Sequence, residues 1–303
     1  MNPWDLKDKV VVIAGIGDDQ GFAWAIAKAF KNLGAKVIAG TWPPLLGILE
    51  QILQNEKFSE SRKLKNGLEL SFDAIYPLDA LYDTLDAVPL EVKENKRYKG
   101  LQDFSISGFV EAVAKDFAKV DIVVHAIANA KEIKNPLSKT SREGYLHALS
   151  ASSYSFVSLC SHFKDLMQPN GSCLTLTYRA ADQVIPGYGG GMSSAKAALE
   201  ADVRYLAYEL GQEKMIRVNA VSAGPLASRA ARAIGMIDSM IEYSFHNSPL
   251  QRDLEAEDVA NTMLFLASSY GKAITGQVIY VDHGLGVMGR PTQKAPQKEE
   301  ALV

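Results

Sequence analysis

Cysteine is nearly absent: the 303 residues hold only Cys160 and Cys173, each inside an apolar run. Two such thiols make neither a disulfide framework nor a metal cluster, and reduced thiols suit a reducing compartment. Charge of one sign is not in excess either. The formal net charge is −3, which supplies no positive field to draw in a nucleic acid. No apolar run approaches the roughly 20 residues that a bilayer-spanning helix needs. Residues 1–9 carry neither the apolar segment of a signal peptide nor the length of a transit peptide. These absences imply a cytoplasmic protein with no membrane and no nucleic-acid partner. Histidine is also scarce, and the five present do not combine. His125 falls in a strand, His147 and His162 share a helix at a spacing unsuited to ligands, and His246 and His283 stand apart, so no metal site is expected.

What is present is alternation. The β-branched run at 10–14 ends at Gly15, the mark of a buried parallel strand. A helical pattern follows over 22–32 and stops at Gly34. Further strands are expected at 36–40, 68–78, 121–126, 172–177, 216–221 and 277–281, and helices at 43–53, 105–118, 141–167, 193–210 and 258–267. Pro43 and Pro44 sit where a helix start accepts proline. Residues 79–104, with the charged run 91–99, read as a solvated surface insertion without chemistry. The segment 223–248 shows no strand, and 291–303 is a polar tail expected to fray. Strands separated by helical crossovers imply an α/β fold. The expectation is a single doubly wound Rossmann-type domain over 1–290, with a seven-stranded, mostly parallel sheet and helices on both faces.

The first strand runs straight into Gly15-Ile16-Gly17-Asp18-Asp19-Gln20-Gly21, after which a helix begins. A pyrophosphate needs close backbone approach and free N–H groups at a helix N-terminus, and glycines at 15, 17 and 21 permit both. The spacing is one residue longer than the usual dinucleotide fingerprint. An acidic residue ordinarily ends the second strand and takes the ribose 2′-hydroxyl. Here Thr41-Trp42-Pro43 stands in that place, without an acid and without an adjacent arginine for a 2′-phosphate. Two readings of Trp42 stay open, stacking on adenine or packing the domain surface. Asp79, at the end of the third strand, is placed to bind the adenine amino group.

None of the twelve tyrosines is followed by lysine in the Tyr-x-x-x-Lys arrangement of ordinary short-chain reductases. The candidate pair is instead Tyr188, on a loop of three glycines, and Lys196, inside the helix that follows. Tyr178 ends the fifth strand ten residues earlier. Tyr178-x9-Tyr188-x7-Lys196 resembles the enoyl-(acyl carrier protein) reductases, the divergent arm of the short-chain reductases. Arg217-Val218-Asn219, Ser222-Ala223-Gly224-Pro225-Leu226, Ile274-Thr275-Gly276 and Val281-Asp282-His283-Gly284 agree with it. The likeness runs over roughly 5–290. The triple glycine, Trp42 and the long insertion look like the subgroup that includes plastid enzymes.

The resemblance implies hydride delivery from NADH to the β-carbon of a 2-enoyl thioester on acyl carrier protein, by a homotetramer. A donor aimed at the developing enolate oxygen stabilises such a transition state by roughly 3–4 kcal/mol. Tyr188 is the expected donor. Lys196 is expected on the nicotinamide ribose, its charge making the phenol a better donor, and Tyr178 in the thioester site as gate, second donor or packing residue. Cofactor contacts are implied at Gly15, Gly21, Phe22, Trp42, Asp79, Ala80, Ile127, Lys196, Pro225, Leu226 and Ser228. Ala130, Ala230 and Ile234 are implied on the substrate side, with 223–248 as the substrate-binding loop. Asn129 is either part of this site or a turn residue. Arg229 and Arg232 either meet the acidic carrier protein or are simply solvated. Two competing readings are a carbonyl or hydroxyl dehydrogenase and a non-catalytic dinucleotide-binding scaffold. The missing Tyr-x-x-x-Lys opposes the first, and the intact tyrosine–lysine pair opposes the second.

Overall fold

The computed structural model describes residues 6–292, so 293–303, most of the expected tail, lie outside the described residues. Seven strands form one sheet in the order β3-β2-β1-β4-β5-β6-β7. They are β1 (Val10–Ala14), β2 (Lys36–Thr41), β3 (Ala74–Pro77), β4 (Val120–His125), β5 (Met167–Thr177), β6 (Arg217–Ala223) and β7 (Val278–Val281). Every neighbouring pair is parallel. β1 and β4 are buried throughout, which is why β1 reads as an unbroken apolar run and β4 as one interrupted only by Asp121 and His125. The order reverses between β1 and β4, and in such sheets that is where the crevice opens at the strands' carboxyl ends.

Helices cover both faces. They are α1 (Phe22–Asn32), α2 (Leu46–Gln54), α3 (Ser59–Arg62), α4 (Leu90–Lys93), α5 (Ile106–Asp116), α6 (Arg142–Leu149), α7 (Ser155–Phe163), α8 (Met192–Lys214), α9 (Arg229–Ile234), α10 (Ile237–Asn247) and α11 (Ala256–Ala267). Trp24, Ile26 and Phe30 of α1 pack with Met263 and Leu266 of α11 on one face. Phe109, Phe156, Phe163, Leu199 and Val203 fill the other. Arg217 is structural: its buried guanidinium donates to the carbonyls of Leu266, Ala267 and Gly271, closing the C-terminal end of α11.

Three sequence expectations are corrected. The third strand is shorter than 68–78, because residues before it turn back on α3. The Leu70 N–H donates to the Arg62 carbonyl at 2.8 Å, and Lys63 and Glu69 form an antiparallel bridge. The insertion is not merely solvated: Val88, Tyr98 and Phe104 are buried in a small core of their own. Its Asp83 accepts hydrogen bonds from the Tyr154 and Ser158 hydroxyls beside α7. The helix expected at 141–167 is divided by a π-turn over Ser150–Tyr154, and Met167 already belongs to β5. Segment 223–248, strandless as expected, carries two helices, α9 and α10.

Gly15 marks where the site begins. Its φ is +108°, and a Cβ there would lie 2.5 Å from the Ala126 carbonyl oxygen of the strand next door. Strain and clash act together, so Gly15→Ala is expected to destabilise the fold by roughly 3 kcal/mol or more. A urea midpoint unchanged from wild type would refute this.

Candidate active site

A cleft of about 620 Å³ opens over the carboxyl ends of β1, β4, β5 and β6. One end is the turn from Gly15 to Gly21, after which α1 starts without a side-chain cap. Uncapped N–H groups of a first turn form an anion site. A Cβ added at Gly21 would meet nothing nearer than the Asp18 carboxylate at 4.0 Å, so the backbone there stays open to a ligand. The residues present thus fit a nicotinamide dinucleotide, with its pyrophosphate over this turn. Trp42 and Leu45 form the wall beyond.

At the other end stand Tyr178 and Tyr188, edge to face with ring centroids 5.1 Å apart. Burial raises both phenols, Tyr178 to about 12 and Tyr188 further, with Tyr178 adding to the rise at Tyr188. Both therefore stay protonated at neutral pH and can only donate or accept as phenols. Lys196 is buried, its Nζ donating to the Leu176 carbonyl at 2.9 Å. Burial lowers its pKa to about 8, against a smaller upward pull from Glu200. The expected sharpening of the phenol by the lysine charge does not govern Tyr188, whose proton affinity is set by burial and by Tyr178.

Tyr188, on the turn before α8, is held by the neighbouring loop. The Gly189 N–H donates to the Ile133 carbonyl at 3.2 Å and the Gly190 N–H to the Asn135 carbonyl at 2.9 Å. That neighbouring loop is itself tied down: the Glu132 carboxylate accepts from the Ser141 N–H and hydroxyl at the start of α6. Above β4, the Ser152 hydroxyl accepts the Asn129 N–H at 2.9 Å and donates to the Asn129 carbonyl at 3.0 Å. The π-turn that carries Ser152 therefore pins the loop 127–130. His125 lies beneath, fully buried between Thr175 and Ser155, and burial followed by the Lys196 charge lowers it to about 3. It is a neutral packing residue.

The cleft brings together Gly15, Gly21, Phe22, Trp42, Ile127, Asn129, Ala130, Tyr178, Tyr188, Lys196, Pro225, Leu226 and Ser228. Ser228 also caps α9, accepting the Ala231 N–H. Asp79 and Ala80 do not line it; they are buried behind Trp42, whose indole N–H reaches the Asp79 carboxylate. The side chains of Ala230 and Ile234 lie outside the described residues. Arg229 and Arg232 find partners within the chain, Asp18 and Gln20 of the glycine turn. Sequence reasoning missed Leu45, Ile133, Met192, Ile237 and Met240, apolar lining from four separate segments. It missed Ser152 as well, for nothing in a serine-rich helix announces which hydroxyl will meet a loop 23 positions earlier. Among the described residues no metal-binding cluster occurs, and no helix is long and apolar enough to cross a membrane.

Comparison with known proteins identifies the family. The family model described as Enoyl-(Acyl carrier protein) reductase matches residues 101–286. The enoyl-(acyl-carrier-protein) reductase (NADH) 2, chloroplastic, of Oryza sativa subsp. japonica is 55% identical over 95% of this chain and 77% of its own. Among solved structures, the Plasmodium berghei enoyl-acyl-carrier-protein reductase with triclosan superposes with a TM-score of 0.91 at 45% identity, covering 94% of this chain and 100% of the other. The Anaplasma phagocytophilum enzyme in complex with NAD gives 0.77 at 31%, covering 95% and 97%.

Proposed function

The chain belongs to the enoyl-(acyl carrier protein) reductase family, and on that premise we propose how the residues of its cleft divide the reaction. The enzyme reduces the trans-2 double bond of enoyl thioesters carried on acyl carrier protein, the last step of the fatty acid elongation cycle, with NADH as reductant. Bound NADH supplies the hydride, which goes to the β-carbon. Negative charge then develops on the thioester oxygen. Tyr188, half-buried and protonated beside Tyr178, donates to that oxygen, and this pairing is the observation that carries the assignment. Lys196 holds the nicotinamide ribose. Gly15, Gly21 and Phe22 receive the pyrophosphate and Trp42 the adenosine, with the Asp79 carboxylate behind the indole. Ile127, Pro225, Leu226 and Ser228 flank the nicotinamide half. Ala130 and Tyr178 face the acyl thioester, and closing α9 and α10 over it would exclude water.

The test mixes the protein with NADH and a medium-chain trans-2-enoyl thioester and follows the reduced-nicotinamide absorbance, with NADPH in parallel. Rapid oxidation that requires the double bond is expected. Oxidation with 3-oxoacyl thioesters but not enoyl thioesters would replace the assignment by a carbonyl reductase.

The pH profile adds a check. In the free protein the Lys196 ammonium is lost as pH rises through about 8, so its charge-assisted grip on a ribose hydroxyl weakens there. KM for NADH is expected to climb across that range; a flat KM to pH 9 would exclude the role.

We also propose a homotetramer, joined through the long helices. Tyr154, between α6 and α7, and the edge-to-face pair Tyr205–Tyr208 on α8 are exposed aromatic faces of the kind subunit contacts cover. The cytoplasmic assignment rests on the two buried free thiols, Cys160 and Cys173, which suit a reducing compartment. The rice relative is named as chloroplastic, and fractionation that finds this protein in an organelle would overturn the assignment.

A further inference from the structure

Three polar side chains converge behind the end of the cleft assigned to adenosine, and one of them comes from the insertion. The Trp42 indole N–H is shared between the Asp79 carboxylate at 3.2 Å and the Tyr98 hydroxyl at 3.0 Å. The Tyr98 hydroxyl in turn donates to the same Asp79 oxygen at 2.7 Å, while the other oxygen accepts the Leu81 N–H. Asp79 is 4% exposed and Tyr98 7%, whereas Trp42, the member that lines the cleft, is 41% exposed. Tyr98 is itself clamped edge-on against Phe104, ring centroids 4.7 Å apart.

Each bond in this triangle involves a group that would otherwise turn. An indole on a single strand end has two torsions to lose, and the shared N–H fixes both. Hydrogen bonds to a carboxylate are roughly twice as strong as neutral ones, so Asp79 is the anchor and Tyr98 the brace. Burial and the adjacent carboxylate push the Tyr98 phenol up, so it remains a donor. Lys196 is the one basic side chain among the described residues lining the cleft, and it stands at the tyrosine end. A 2′-phosphate beside Trp42 would stand over the Asp79 carboxylate behind the indole, with no basic side chain among the described lining residues at that end.

We propose that Tyr98 is a positioning residue for the cofactor: it locks the Trp42 indole against Asp79, so that the insertion builds the adenosine wall and sets the preference for NADH over NADPH. This rests on the cofactor orientation given above. It gives the insertion a role in binding that its charged sequence does not suggest.

The variant Tyr98→Phe keeps the ring and its contact with Phe104 and removes only the hydroxyl. NADH and NADPH are titrated onto the full-length protein without enoyl substrate, reading energy transfer from tryptophan to the reduced nicotinamide. Trp42→Phe identifies the signal due to that residue. The NADH dissociation constant of Tyr98→Phe is expected to rise about tenfold, and the NADH:NADPH affinity ratio to fall about fivefold. KM for NADH should follow the dissociation constant, with kcat at saturation staying within twofold of wild type. In Asp79→Asn, which keeps the shape but removes the charge, the ratio should fall as well. Tyr98→Phe with both affinities unchanged would overturn the proposal. So would equal weakening for both nucleotides, with a lowered Tm, because that pattern belongs to a packing residue. If the wild-type protein bound NADH in an orientation that left Trp42 fluorescence unaffected, the reading of the cleft beneath the proposal would fall instead.

Discussion

Replacing Tyr188 with phenylalanine is expected to lower kcat by roughly 10²- to 10³-fold while leaving NADH affinity within twofold of wild type. The ring would remain in its contact with Tyr178, so the acyl cleft keeps its shape. What disappears is one donor in a buried setting, where a hydrogen bond to developing charge is worth far more than in water. Ground-state binding gains little from that bond, because the neutral thioester carbonyl is a weak acceptor. The loss therefore falls on kcat rather than on KM. Stopped-flow measurement of a single turnover separates this from slow product release. A variant whose hydride step ran at wild-type speed would move the donor role to Tyr178.

Replacing Lys196 acts on the opposite quantity. Lys196→Ala is expected to weaken NADH binding by about 10- to 100-fold, the range for a hydrogen bond involving a charged group, and fluorescence titration reads it directly. Lys196→Met sharpens the test by keeping the volume. Burial disfavours the ammonium and lowers its pKa to about 8, from an ordinary value near 10.4 when unfolded. Below pH 8 both states carry the proton and the full cost of burying the charge is present. Between about 8 and 10.4 the native state releases its proton while the unfolded chain retains one. The unfolded state then binds more protons, so this residue's contribution makes stability rise with pH. Lys196→Met removes that cost, and its Tm at pH 7 should exceed wild type by roughly 2 °C or more. Greater thermal stability with poor NADH binding would mark a residue retained for chemistry. A variant that lost both together would assign Lys196 to packing.

Much of this was legible in the sequence because buried parallel strands write themselves as apolar runs. The 10–14 run needed no other signal, the strand expected at 121–126 is found at 120–125 although it carries Asp121 and His125, and the glycine turn after the first followed from adjacency alone. The tyrosine–lysine pair was legible only as a departure, a phenol displaced from its customary helical position. What stayed hidden were features made by sparse or distant residues. Val88, Tyr98 and Phe104, with Tyr82, Leu85, Val92 and Leu101 against them, build a core across a stretch of mixed polarity, at no regular spacing for a periodicity to register. The break at Ser150–Tyr154 lies inside a continuous helical pattern, since a π-turn needs one extra residue and no change of composition. The arginines of α9 read as solvated or partner-facing because their acceptors, Asp18 and Gln20, lie more than two hundred residues away.

The backbone zipper between Gly189–Gly190 and the 133–135 carbonyls has a bearing on how such enzymes change over time. When a phenol and an ammonium share one helix, a single added residue between them swings one away from the other by about 100°, and the lineage passes through a dead enzyme. Here the phenol is moored through Gly189 and Gly190 to a neighbouring loop and the ammonium to α8, so the two do not turn about one axis when a residue is gained or lost at the Gly191 turn between them. The interval can therefore drift while both partners keep their posts, and the chemistry survives each step.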